Sequence, residues 1–147
     1  MFKASFLALA LAASTVVQTV PAIGKATPFL PLQDEAPARL FVDQPLAEPL
    51  ANRGAAVIPY RTENFRILPI FGAAAKDVSP RAGHLHVSVD DLSWHWADAG
   101  DNNTVVVVGL SPGEHSVLIE LALPDHRVIA GQRVKFTVPS LPYQGGK

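Results

Sequence analysis

The sequence predicts an all-β domain, an immunoglobulin-like antiparallel two-sheet sandwich of about seven or eight strands, set behind a signal peptide and a proline-rich N-terminal arm. Three observations carry this expectation. From residue 55 onward, short runs rich in β-branched residues alternate with clusters of turn formers. Within the runs, apolar and polar residues alternate with period two: Val117, Ile119 and Leu121 share one face, and Val134, Phe136 and Val138 share another with Lys135 and Thr137 opposite. No stretch in this part of the chain repeats its apolar residues at helical spacing.

Taken in order, the chain divides into four parts. Residues 1–24 have the layout of a secretory signal peptide: Lys3 supplies a positive start, Phe6 to Val17 is apolar or small and contains small-x-small patterns such as Ala8-Leu9-Ala10, and a small residue recurs at Ala22. Residues 25–54 form an arm or linker. The stretch from 21 to 50 holds six prolines, a density that argues against a regular helix, with Leu40-Phe41-Val42 able to form one short edge strand. Residues 55–140 form the sandwich. Its runs are Ala56–Tyr60, Phe65–Phe71, His84–Val89, Leu92–Trp96, Thr104–Leu110, His115–Leu121 and Arg127–Val138, the last long enough for two strands around Gly131. Residues 141–147 read as a flexible tail.

Composition narrows the function. With 12 basic and 13 acidic residues and a formal charge of -1, the chain has no basic excess for nucleic acid. It has no cysteine, which excludes disulfides, thiol catalysis and thiolate metal sites, and its one methionine is Met1, which excludes thioether ligands from the mature protein. No later segment is long and apolar enough to span a membrane, so a periplasmic or secreted protein without a membrane span is expected after signal cleavage.

The most informative stretch runs from Gly83 to Trp96. With Asp90-Asp91 as a turn, Val87 faces Trp94 and His86 faces His95; Leu85, Val87, Val89, Leu92, Trp94 and Trp96 then fill a core face, and His84, His86, Ser88, Ser93 and His95 point outward. This alignment brings the Cβ atoms of His86 and His95 to about 5 Å, with His84 about 7 Å along the same face. His84, His86 and His95 are therefore the candidate ligands of a surface site for a divalent zinc, copper or nickel ion, since a neutral imidazole nitrogen is a good donor to these metals near pH 7. Against this stands a simpler reading, in which the three histidines are solvated or packed under a loop.

The remaining candidates are weaker. In Leu110-Ser111-Pro112-Gly113-Glu114-His115, the histidine takes the place of the corner tyrosine of immunoglobulin-like domains and is expected to bond back to the backbone. His126, in a Pro124-Asp125-His126 turn, is expected to be solvated, Trp94 and Trp96 to be core residues, and Asn102-Asn103-Thr104 to be a turn. No catalytic constellation is recognisable, and no phosphate loop or dinucleotide fingerprint is present.

From Val42 to Pro139 the chain resembles an uncharacterised exported bacterial domain-of-unknown-function family. The matching features are Tyr60-Arg61-Thr62-Glu63-Asn64, Val78-Ser79-Pro80-Arg81, Gly83-His84-Leu85-His86-Val87, Trp94-His95-Trp96, Leu110-x-Pro112-Gly113-x-His115 and Pro124-Asp125-His126. The resemblance implies export and a β-sandwich, and brings no activity. The leading expectation is a binding module with a histidine-rich metal site. The alternatives are a structural or interaction domain that contacts another envelope protein, and a metal-dependent hydrolase.

Overall fold

The computed structural model describes residues 30–31 and 35–140. The expected signal peptide, part of the arm and the tail from 141 to 147 lie outside the described residues. Ten strands follow one another as β1 (Leu30–Pro31), β2 (Arg39–Val42), β3 (Ala56–Glu63), β4 (Arg66–Ile67), β5 (Val78–Ser79), β6 (Ala82–Val89), β7 (Trp96–Asp98), β8 (Thr104–Val107), β9 (Gly113–Ala122) and β10 (Val128–Val138), with one helix, α1 (Ala47–Arg53), between β2 and β3. A five-stranded sheet has the order β10-β9-β6-β4, with β7 also paired to β6; a three-stranded sheet has the order β2-β3-β8; and β1 pairs with β5. All pairs are antiparallel except β4 with β6. The architecture is the β-sandwich expected from the period-two patterning.

The core lies between the two larger sheets. Ile58 and Tyr60 from β3 and Val105 and Val107 from β8 pack with Leu85, Val87 and Val89 from β6, Val117, Ile119 and Leu121 from β9, and Val134, Phe136 and Val138 from β10. Burial of these apolar faces is the main driving force for the fold. Where β10 comes alongside β2, the Gln132 side chain bridges the two sheets: its Oε1 accepts from Val42 N at 3.0 Å and its Nε2 donates to Val42 O at 3.3 Å.

Three local expectations are corrected. Proline density does not prevent a helix in the arm, because Pro49 falls in the first turn of α1, where no backbone N–H is required. The run ending at Val138 is one strand rather than two, with its register irregularity between Val128 and Ala130. Gly131 stays in the ladder opposite Glu120, whose Cγ would lie 3.1 Å from any Cβ placed there.

The third correction concerns the hairpin that carries the histidines. Val87 pairs with Trp96, and His86 with Ala97, two residues beyond the expected partners Trp94 and His95. The connection is longer than a tight turn because Asp90 adopts φ 51° and is tied to β9: its amide donates to Ser116 O at 2.7 Å, and its Oδ1 accepts from Ser116 N at 2.8 Å. A shift of two preserves the period-two sorting, so His84 and His86 still lie opposite Leu85, Val87 and Val89. Residues 90–95 leave the sheet, and Leu92 and Trp94 are 49% and 57% exposed instead of filling the core.

Candidate metal centre

The site is built on β6, the strand at the middle of the larger sheet. On its outer face His84 lies opposite Ala122 and His86 opposite Glu120 of β9. Gly83 makes this close approach possible: a Cβ there would collide with the Ala122 carbonyl oxygen and come within 2.8 Å of the Phe65 ring. The outward histidines are not on an open surface, however. His84 is 0% and His86 6% exposed.

Two segments roof them. β4 runs parallel to the start of β6, Leu68 N donates to Gly83 O at 2.7 Å, and the chain then carries Phe71 over the sheet. The Phe71 ring lies 4.7 Å from that of His84 and 6.0 Å from that of His126. The second segment is the turn between β9 and β10. Leu123 O accepts from His126 N at 2.8 Å, with the buried Pro124 and the half-buried Asp125 between them, and Asp125 Oδ1 accepts from Arg127 N at 3.2 Å. Gly72 N donates to Pro124 O at 2.7 Å and holds the two roofing segments together.

His126 occupies the position after this turn at φ 67°, a left-handed conformation that Gly or Asn adopts more readily. From there its ring turns back over β6. His84 Nε2, His86 Nε2 and His126 Nδ1 converge, with separations of 3.2, 3.2 and 3.1 Å. These three residues form a group able to hold a metal ion.

The arrangement is poorly satisfied by hydrogen bonds alone. Each inner nitrogen of a neutral imidazole carries either one proton or one lone pair, so a triangle of three always leaves at least one edge without a hydrogen bond. His84 Nδ1 is in addition buried without a partner. One cation at the apex would accept all three lone pairs. With metal–nitrogen bonds of about 2.0–2.1 Å, tetrahedral ligands stand about 3.3–3.4 Å apart and adjacent octahedral ones about 2.8–3.0 Å. The observed 3.1–3.2 Å falls between the two, so the residues fit such an ion.

Electrostatics act in the same direction. Burial, then the neighbouring His95, His84 and His126, push the His86 imidazole down to about 4. Burial and His126 lower His84, opposed by the Ile70 backbone. Both rings are therefore neutral near pH 7, the form in which imidazole binds a metal.

Of the histidines expected from sequence, the structure brings His84 and His86 together and adds His126. His95 is exposed and packs against His86 with the rings tilted and 4.6 Å between centroids, outside the converging group. His126 was missed because its turn reads as solvated; its only local signal is a histidine in the slot after a Pro-Asp turn that usually takes Gly or Asn. His115 sits apart at the corner, as anticipated. Its Nδ1 donates to Asp90 Oδ2 and its Nε2 to Ser111 O, both at 2.8 Å, an arrangement of two acceptors that favours the imidazolium.

No curated protein and no solved structure matches the chain. A match over residues 2–145 places the histidine strand, the roofing turn and the His115 corner within one sequence family. The chain belongs to the family described as the family of unknown function DUF6130.

Proposed function

We propose that this protein is an exported metal-binding module in which His84 Nε2, His86 Nε2 and His126 Nδ1 hold one divalent transition-metal ion. The observation that carries the reading is the convergence of three imidazole nitrogens at 3.1–3.2 Å, two of them on buried rings. An all-nitrogen donor set suits zinc, copper(II) and nickel, with copper(II) the tightest by intrinsic affinity. Export rests on the N-terminal sequence, and cell fractionation tests it. The sandwich core packs apart from the histidines, on the other face of β6, so the fold supplies a preorganised site and does not depend on the ion for its hydrophobic core.

The test is metal analysis of tag-free protein isolated from its native compartment. One equivalent of ion per chain, lost in His86→Ala, is the expected result. Protein that carries no ion and takes up none on titration with Zn(II) or Cu(II) removes the proposal and leaves the structural or interaction reading.

A further inference from the structure

Three histidines leave one position of a four-coordinate ion to be filled. We infer that His95 fills it: the loop between β6 and β7 swings this imidazole onto the ion, which makes a closed four-histidine site. The inference rests on the metal reading above and decides what that site does. A closed set leaves no position for an activated water, so the site holds its ion and does not use it for hydrolysis.

The spacing of the rings supports it. Two imidazoles that share one ion hold their ring centroids about 5 Å apart, given metal–nitrogen bonds near 2 Å and tetrahedral angles. The three converging pairs show this spacing, at 5.1, 4.8 and 5.4 Å. His95 already stands at 4.6 Å from His86, beside the group and short of it.

The loop is placed to move. Its backbone bonds lie at its base, from Asp90 N to Ser116 O and from Leu92 N to Val89 O, while β7 begins only at Trp96. Between these anchors Ser93, Trp94 and His95 are exposed. Rotation of this short segment carries His95 inward without disturbing the β6–β7 pairing. Trp94, 57% exposed and next to His95, rides on the same segment and reports the movement.

His95→Phe is the discriminating variant, because phenylalanine keeps an aromatic face over His86 and cannot ligate. Zn(II) affinity is measured by chelator competition, ligand number by X-ray absorption, and Trp94 emission by titration in a Trp96→Phe background. The expected result is four nitrogen ligands in the wild type and three in His95→Phe. Affinity falls at least tenfold, the lower end of what loss of even an outer-shell partner costs. The Zn(II)-induced change in Trp94 emission disappears with it. Three nitrogens in both proteins at equal affinity, or an oxygen as the fourth donor in both, overturns the inference and leaves the three-histidine site standing. A wild type that binds no Zn(II) overturns both.

Discussion

Replacing His126 with glycine should strengthen the empty protein and weaken its response to metal. At φ 67° a side chain with a Cβ costs roughly 1–2 kcal/mol relative to glycine. Against this, glycine adds about 0.5–1 kcal/mol of unfolded-state entropy. The lost ring also gives up its contacts with His84, His86 and Phe71, which takes back part of that gain. The balance is a metal-free variant more stable than the wild type by at most about 0.5–1 kcal/mol, or about 3–5 °C in melting temperature for a domain of this size. Zinc reverses the order, because at a hundred times the wild-type dissociation constant the ion adds about 2.7 kcal/mol to the wild type and about 1.4 kcal/mol or less to a variant that binds it at least tenfold more weakly. Urea unfolding followed by circular dichroism, with EDTA and with excess Zn(II), reads both effects. Zinc stabilisation of the variant equal to that of the wild type would refute the ligand assignment. A metal-free variant weaker than the wild type by more than 1 kcal/mol would refute the idea that His126 is held in a conformation its side chain disfavours.

The other predictions concern the scaffold. Gly83→Ala should cost about 3 kcal/mol in urea unfolding, since the added methyl meets the Ala122 carbonyl and Phe65 at once; a loss under 1 kcal/mol would mean that β6 can move away from β9 with little cost. The Asp90 hydrogen bond, the Ser111 carbonyl and the Asp90 charge raise the His115 pKa above its ordinary 6.5. A group raised in the folded state contributes fully below 6.5 and loses its contribution as pH climbs through the raised value. Wild-type stability should therefore decline above pH 6.5 more steeply than that of His115→Phe, and parallel pH profiles would remove the ion pair from the account.

How much of this was readable from local sequence differs from one element to the next. The alternation Leu85, Val87, Val89 against His84, His86 survives the two-residue change of register because side chains alternate with period two, so even an incorrect turn length placed the histidines on the right face. The same error put Leu92 and Trp94 in the core, because nothing near Asp90 in sequence reveals that its side chain is tied to Ser116 and His115. The roof over the histidines was likewise invisible. It depends on the bond from Gly72 to Pro124, between segments far apart in the chain.

By itself, the sequence determined the class of fold, the outer-face position of two histidines and the exclusion of sulfur ligands, since all three follow from residue type and short-range periodicity. Only the tertiary structure decided which third imidazole joins them. That choice depends on β6 pairing with β9, past two intervening strands, and on a turn that bends His126 back over the sheet. Such contacts arise from packing between distant segments, and spacing along the chain does not encode them.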